Sequence, residues 1–202
     1  LNAFTYAGDI SGTGAITLLG SGTTTLSGTN TFSGGVNLNA GTLSLGSAGA
    51  IGSSGTISLG GGVLQYTSSN NTDYSARFST AASQAYNIDT NGRSVTFAGA
   101  LSSSGGTLTK LGSGTLTLAG ANSYTGDTTI SAGTLAVSGT LGNGAYSADI
   151  SVASGANLSL NGASNQTLCG SFAYVGIPRL AGRQVGKYLL LRRLRHFLKY
   201  PL

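Results

Sequence analysis

The sequence predicts an all-β protein in which successive turns of the chain stack in parallel, and three observations lead to this fold class. The stretch from Gly20 to Gly34 returns 92 residues later, between Gly112 and Gly126, and self-similarity at a fixed spacing is typical of solenoids. In short segments apolar residues alternate with Thr, Ser and Asn, and Gly-rich turns separate these segments. Only 7% of residues are charged, whereas 40% are hydrophobic and 34 are Gly, so the chain has enough apolar residues for a core.

Each alternating segment predicts one short strand, because period-two alternation places Leu, Ile and Val on one face and Thr, Ser and Asn on the other. The segments with this alternation are 42–45, 56–59, 107–111, 115–118, 134–137, 149–152 and 157–160. The alternating segments are about 8–12 residues apart. Three of them predict one turn of the coil with a length of roughly 22–25 residues. The 92-residue spacing would then equal about four turns, and the stacked turns would bury a continuous apolar column.

Glycine, asparagine and aromatic residues mark the predicted corners. The Gly-rich corners are Gly20–Gly22, Gly60–Gly62 and Gly112–Gly114. Glycine there permits a positive φ or a close approach of two turns. Asn30 and Asn122 sit at matched positions, and we expect them to bond within a turn. Phe32 and Tyr124 follow them, and we expect both rings to cap the apolar column rather than to contact a ligand.

The polar, aromatic-rich stretch 65–78 lies between the two copies and is the candidate binding loop. Its candidate residues are Tyr66, Asp73, Tyr74 and Arg77. Loops held on a rigid scaffold are where binding residues concentrate. The alternative is an ordinary longer loop without a ligand.

The repeated segments resemble a known family. Residues Leu108 to Leu135 are similar to the passenger-associated repeat of bacterial autotransporters nearly residue for residue, within a copy at 108–137; the copy at 16–45 is a looser match. The resemblance implies that residues 1–168 form a right-handed parallel β-helix, part of a secreted passenger that a C-terminal outer-membrane β-barrel on the same polypeptide exports. It implies a non-enzymatic stalk or adhesin on a Gram-negative cell surface, a class linked to virulence, with host-cell, matrix or sister-cell ligands. It brings no catalytic residues, and no cofactor, metal or nucleic acid is expected.

Residues 169–202 form a second compositional segment. Residues 1–168 carry three cations and five anions, a net charge of −2, whereas 169–202 carry seven cations and no anion, a net charge of +7. As a helix, 190–199 would place Leu and Phe opposite Arg and Lys, the pattern of a segment that lies on an anionic membrane. The alternative is a non-native, out-of-frame ending, so a helical and a disordered tail both stay open. Because the sequence contains no Met, we expect a fragment of a longer chain.

A β-helix enzyme is the first alternative function. Glycoside hydrolysis needs two carboxylates beside one bond, and Asp127 and Asp149 lie about one predicted turn apart. The plainer interpretation, which we prefer, is that both are polar turn residues. His196 is the single His and lies in the tail, so the body lacks the base of a serine hydrolase.

An ice-binding or water-ordering surface is the second alternative. Regular Thr-x-Thr pairs on flat solenoids can order water, and such pairs occur at 23/25, 107/109 and 115/117. The pattern breaks at 42/44, 56/58 and 134/136. Thr is also a favourable residue on the exposed face of a strand, which is the interpretation we prefer.

Overall fold

A computed structural model describes residues 3–162 and 164–175 of the chain. These residues form a parallel β-solenoid, which confirms the predicted parallel β-helix. One nine-stranded parallel sheet runs through all the described coils. Its strands follow one another in space as in the chain: β1 (Ala3–Tyr6), β3 (Thr23–Leu26), β5 (Thr42–Leu45), β7 (Val63–Gln65), β8 (Ala85–Asp89), β10 (Thr107–Leu111), β13 (Thr128–Ile130), β17 (Ile150–Val152) and β20 (Phe172–Tyr174).

The remaining strands build shorter parallel sheets. The three-stranded sheet contains β2 (Ile16–Leu18), β4 (Val36–Leu38) and β6 (Ile57–Leu59). The four-stranded sheet contains β9 (Ser94–Phe97), β11 (Thr115–Leu118), β14 (Thr134–Val137) and β18 (Asn157–Leu160). Two pairs complete the set: β12 (Ala121–Asn122) with β15 (Thr140–Leu141), and β16 (Ala145–Tyr146) with β19 (Thr167–Leu168). Short 3-10 turns occupy Ser75–Arg77 and Gly142–Gly144.

The coils are slightly shorter than predicted. Register partners on the nine-stranded sheet lie 19 residues apart at the shortest step, Thr23 to Thr42, and 24 at the longest, Val63 to Asn87. The row that begins at Ala3 reaches Ala173 after eight steps, so one coil takes about 21 residues. At about 4.8 Å per coil the eight steps rise about 38 Å.

The 92-residue repeat therefore spans about four and one third coils, close to the predicted value of about four turns but not a whole number. The extra third of a coil moves the second copy by one sheet. Thr24 lies in β3 of the nine-stranded sheet, whereas Leu116, its counterpart 92 residues later, lies in β11 of the four-stranded sheet. Thr17 and its counterpart Thr109 likewise lie in the three-stranded and the nine-stranded sheet.

Inward aliphatic side chains form one continuous core along the axis. Leu43, Leu64, Ile88 and Ile130 are fully buried members of one inward column of the nine-stranded sheet. Full burial of such a side chain contributes roughly 1.5–3 kcal/mol. Because no single coil can enclose a core, this stacking supplies the main stabilisation of the solenoid.

Buried aromatic rings extend through the interior from the chain between the two repeat copies to a position beyond the second copy. Six buried rings are in consecutive contact, with centroids 5.2 to 6.4 Å apart. They are Tyr66, Phe97, Phe78, Tyr86, Tyr124 and Tyr146. Phe32 and Tyr124 are 1% and 0% exposed, which confirms that both rings pack against the core.

Two matched corners show why glycine recurs. Gly41 and Gly133 have φ of +67° and +66°, a region that L side chains rarely adopt. A Cβ at Gly41 would lie 2.2 Å from the carbonyl oxygen of Gly20, and a Cβ at Gly133 would lie 2.3 Å from that of Gly114. Both corners thus combine a left-handed backbone with a close approach of the preceding coil.

The described part of the predicted tail continues the sheet. Strand β20 pairs in parallel with β17, and the Cys169 N–H donates to the Tyr146 carbonyl at 2.7 Å. The compositional boundary at Leu168 therefore falls within the last described coil. The predicted helix at 190–199 lies outside the described residues.

Candidate functional site

The segment 66–78 leaves β7 and returns the chain towards β8 without forming a strand of its own. Tyr66 and Tyr74 are 0% and 4% exposed, and their ring centroids lie 6.5 Å apart. The Tyr74 hydroxyl accepts a hydrogen bond from Asn70 Nδ2 at 2.8 Å and donates to the Ala48 carbonyl at 3.3 Å. Both rings therefore belong to the interior and are not offered to solvent.

Arg77 holds this segment onto the preceding coil. Its guanidinium donates to the carbonyls of Gly55 and Gly52 at 2.9 and 2.8 Å, and to that of Ile51 at 3.0 Å. It also donates to the Ser54 carbonyl. Burial lowers the pKa of the guanidinium, while neighbouring Tyr74 raises it. These carbonyls engage the donors that a ligand would otherwise use.

Asp73 is the exposed member of the four candidate residues. Its carboxylate accepts from the Ser75 N–H and hydroxyl at 2.8 and 2.6 Å, and from the Ala98 N–H of the next coil at 2.8 Å. The structure thus brings Tyr66, Asp73, Tyr74 and Arg77 into one segment. Their internal contacts give each a packing or bonding role, and ligand binding by this segment stays a prediction.

Asp127 and Asp149 lie one coil apart, as the sequence predicts. Asp127 Oδ1 accepts the backbone N–H of Asp149 at 3.0 Å, and Asp149 Oδ1 accepts that of Ser171 at 2.6 Å. Both carboxylates are exposed, yet each is engaged with the backbone of the following coil. This ladder gives the pair a role in joining coils.

The other carboxylates also accept backbone N–H groups. Asp9 accepts from Thr29 at 2.6 Å. Asp89 accepts from the Asn91 N–H at 2.8 Å and from Gln65 Nε2 at 2.9 Å. Hydrogen bonds to an ionised acceptor are stronger than neutral ones. All five Asp side chains therefore stabilise corners or link coils.

The outward rows of the sheets are polar but mixed. On the four-stranded sheet one row contains Thr96, Thr117, Ala136 and Ser159 in register. On the nine-stranded sheet Asn87, Thr109, Thr129 and Ser151 follow one another. These rows carry hydroxyl and amide groups without charge, but the Thr-x-Thr pattern is not repeated on every coil.

Apolar side chains are exposed at the two ends of the described stack. In the first coil Phe4, Tyr6 and Leu19 are 58%, 40% and 72% exposed. In the last described coil Phe172 and Val175 are 42% and 65% exposed. The described residues leave the core column uncovered at these two places.

A shallow, open depression lies beside the four-stranded sheet. It is lined by Val137, Gly139, Leu160, Gly162, Ser164 and Gln166. Within 3–162 and 164–175 no three His, Cys, Asp or Glu side chains cluster as a metal site. The same residues include no helix with the length and apolarity needed to span a bilayer.

Comparison with known families identifies the repeated unit. The passenger-associated-transport-repeat matches residues 16–45 and 108–137. This chain carries two passenger-associated-transport-repeats. The resemblance that the sequence shows is thereby confirmed, and the repeats indicate an autotransporter passenger segment, a class secreted or displayed on Gram-negative bacteria. No curated protein and no solved structure matches the chain.

The two passenger repeats use their matched asparagines in the same way. Asn30 Oδ1 accepts the N–H of Ile10 in the preceding coil at 2.8 Å, and its Nδ2 donates to the Ala50 carbonyl in the next at 2.6 Å. Asn122 Oδ1 accepts the N–H of Leu101 at 3.0 Å. Its Nδ2 donates to the carbonyls of Gly120 and Thr140 at 2.8 and 3.0 Å.

The expectation that these asparagines bond within a turn therefore holds only for the Gly120 contact. Their other bonds run between successive coils, because each buried amide has a coil on either side. Neither residue has a positive φ. The matched asparagines of the passenger repeats are links between coils.

Lys110 in the second passenger repeat is the residue that the sequence reasoning missed. Its side chain points inward and is 0% exposed. The signal was present, because Lys110 lies two residues after the inward Leu108 in a strictly alternating strand. Its counterpart in the first repeat, 92 residues earlier, is the aliphatic Leu18.

Proposed function

We propose that this chain is a non-enzymatic segment of an autotransporter passenger that acts as a stiff stalk on the cell surface. A C-terminal outer-membrane β-barrel of the parent polypeptide would be its export partner. The exposed apolar side chains of the first coil, Phe4, Tyr6 and Leu19, support a place within a longer stack, where an adjoining coil covers them.

The continuous nine-stranded sheet is the observation that carries this proposal. Parallel pairing of every coil with the next leaves backbone donors and acceptors satisfied along the rod, and a continuous hydrophobic core runs along its length. The carboxylates and the candidate loop are bonded internally. These features suit a rigid spacer that needs no disulfide, metal or cofactor to stay folded.

Digestion of the full chain with a protease of broad specificity tests the stalk. We expect one resistant core that contains the described coils, because hydrogen-bonded strands must open before they are cleaved. Removal of denaturant should restore the same core without added factors. Early cleavage within β5, β10 or β14, or failure to refold, would contradict a self-sufficient rigid spacer.

Adhesion is the second function that the outer faces support, through their uncharged hydroxyl rows. Binding of the full chain to host cells, matrix or sister cells measures it directly. Thr117→Lys and Thr129→Lys place one charge on the four-stranded and on the nine-stranded sheet respectively. Loss of binding in only one variant would locate the adhesive face, whereas a wild-type chain that binds none of these surfaces would leave the spacer role alone.

An enzymatic role has one direct test. If the Asp127–Asp149 ladder were catalytic, Asp127→Asn or Asp149→Asn would abolish activity on a polysaccharide panel. We expect the wild-type chain to be inert on that panel, because both carboxylates are engaged with backbone N–H groups. Measured hydrolysis that either variant removes would overturn the non-enzymatic assignment.

A further inference from the structure

Lys110 is a buried cation in an aliphatic column. In the register of the nine-stranded sheet it lies between Ile88 of the preceding coil and Ile130 of the next. Its side chain is 0% exposed. Lysine is rarely fully buried unless its ammonium group is paired, so its partners determine what it does.

The partners of the Lys110 ammonium are three backbone carbonyls at two successive corners. Nζ donates to the carbonyls of Leu111 and Gly112 in its own coil at 2.8 and 2.7 Å. It donates to the Ala132 carbonyl of the next coil at 3.2 Å. An ammonium has three N–H donors, and all three are used here.

The first repeat shows the same corner without a cation. There Leu18 replaces Lys110, and Ala40 and Gly41 are the counterparts of Ala132 and Gly133. Gly41 keeps the φ and the close carbonyl approach of Gly133. The corner therefore forms with an aliphatic residue, and the lysine adds a link between coils that the corner itself does not require.

Few charged or titratable groups lie on the elements that surround the Lys110 ammonium. On the preceding coil, β8 carries Tyr86 and Asp89, and the exposed Arg93 follows in the same corner; β11, β13 and β14 carry no titratable residue. Burial lowers the pKa of Lys110 to about 8, and the negative charge of Asp89 acts in the opposite direction. The group therefore changes its charge close to physiological pH.

We propose that Lys110 is a proton-operated pin between two coils of the solenoid. As an ammonium it holds the carbonyls of both corners. As a neutral amine it retains two N–H donors and a lone pair, so one of the three carbonyls loses its partner. The two shorter bonds, to Leu111 and Gly112, are kept, and the Ala132 carbonyl, the link to the next coil, is released.

Carbon-detected NMR of the full chain tests the pin. We expect the carbonyl ¹³C of Ala132 and the Lys110 ¹³Cε to titrate together with a midpoint near pH 8. The carbonyl of Ala40, the matched position in the first repeat, should not move in that range. A Lys110 midpoint at the ordinary 10.5, or an Ala40 carbonyl that follows Ala132, would overturn the proposal.

Two variants separate the pin from a general effect of pH. Lys110→Leu reproduces the first repeat and should fold, because it continues the aliphatic column; its Ala132 carbonyl should not titrate. Lys110→Met has a side chain of similar length and gives the same readout if leucine packs poorly. An Ala132 titration that persists in both variants would assign the proton to another group.

Titration of Lys110 should also change the stability of the fold, and the pKa values determine the direction of that change. The folded pKa, about 8, lies below the ordinary 10.5, so between these values the unfolded chain binds more protons and stability rises with pH. Burial raises the pKa values of Tyr66 and Tyr124, which lowers stability only above about pH 10. The urea midpoint of the wild type should therefore rise from pH 8 to pH 10 relative to Lys110→Leu; an equal or smaller rise would contradict the buried cation.

Discussion

The two passenger repeats have nearly the same sequence pattern but place their matched strands on different sheets of the solenoid. The first, 16–45, places its strands on the three-stranded and nine-stranded sheets. The second, 108–137, places its strands on the nine-stranded and four-stranded sheets and in the pair of β12 with β15. Each nevertheless forms the same unit of strand, glycine corner, strand and asparagine-linked loop. The repeat therefore encodes local geometry, whereas the residues between the copies determine which sheet it joins.

The longest coil step on the nine-stranded sheet lies in the chain between the two repeats. Val63 and its register partner Asn87 are 24 residues apart, the longest step on the nine-stranded sheet. The chain between β7 and β8 has only a 3-10 turn at Ser75–Arg77. Beyond it β9 starts the four-stranded sheet. Four of the six buried rings in contact lie in this chain between the repeats: Tyr66, Phe78, Tyr86 and Phe97.

The glycine corners give the largest expected effect and test whether the two repeats are locally equivalent. Gly133→Ala and Gly41→Ala each add a left-handed strain of about 1–2 kcal/mol and an overpacking cost of about 1–3 kcal/mol. We therefore expect each variant to lose about 2–5 kcal/mol of unfolding free energy in urea. Similar losses would show that the corner behaves alike on either sheet.

Gly155→Ala is the matched control for these corners. Gly155 has φ of +77° but no atom within 4 Å of its Cβ position. It should cost only the strain, about 1–2 kcal/mol. If Gly155→Ala costs as much as Gly133→Ala, the close approach of Gly114 contributes nothing and the argument from contact fails.

The asparagine links rank second in expected effect. Asn30→Ala leaves the Ile10 N–H and the Ala50 carbonyl without a partner, and Asn122→Ala does the same to Leu101 and Thr140. In each pair one group lies on a half-exposed residue, Ile10 or Thr140, and the other lies on a buried residue, Ala50 or Leu101. A buried unsatisfied group costs about 1–3 kcal/mol, so we expect each variant to lose about 1–3 kcal/mol, measured as urea midpoints with constant slope.

Asn71→Ala is the control for the links, since Asn71 is exposed and surface changes of this kind stay within about 0.5 kcal/mol. A loss at Asn30 but none at Asn122 would show that the link matters only in the first repeat. The two repeats would then be alike in sequence but not in the structural role of the matched asparagine.

Much of the fold follows from the sequence, because alternation alone locates strands. The predicted segments 42–45, 115–118, 134–137 and 157–160 match β5, β11, β14 and β18. The number of coils per repeat was not predictable, since the coil length depends on loops whose residues show no periodicity. The extra third of a coil amounts to about seven residues in 92. This is less than the difference in length between the shortest and the longest of those loops.

The candidate site was less predictable than the fold. Composition marks 66–78 as unusual, but it does not show whether Tyr66 and Tyr74 point inward. That orientation depends on the coils above and below, which supply the ring contacts and the carbonyls for Arg77. Lys110 was missed for the opposite reason. Lysine is usually exposed to solvent, although the alternation of its strand places this residue on the inward face.

The smallest expected effect concerns a polar pair that the second repeat has and the first lacks. Tyr124 Oη and Thr128 Oγ1 lie 2.6 Å apart, both buried. Their counterparts 92 residues earlier are Phe32 and Val36. Tyr124→Phe should cost about 1 kcal/mol, because Thr128 loses one partner but keeps the Tyr146 hydroxyl at 2.8 Å.

A double-mutant cycle with Thr128→Val tests whether the pair acts as a unit. Replacing both partners by apolar groups of similar shape is nearly neutral for their shared bond, so we expect a coupling energy of about 1 kcal/mol from urea unfolding. Tyr66→Phe is the control, since the Tyr66 hydroxyl is buried without a partner and its removal should be neutral or stabilising. Additive effects at Tyr124 and Thr128 would mean that the hydroxyls do not stabilise each other, and that the second repeat gains nothing from the polar pair that replaces the apolar pair of the first.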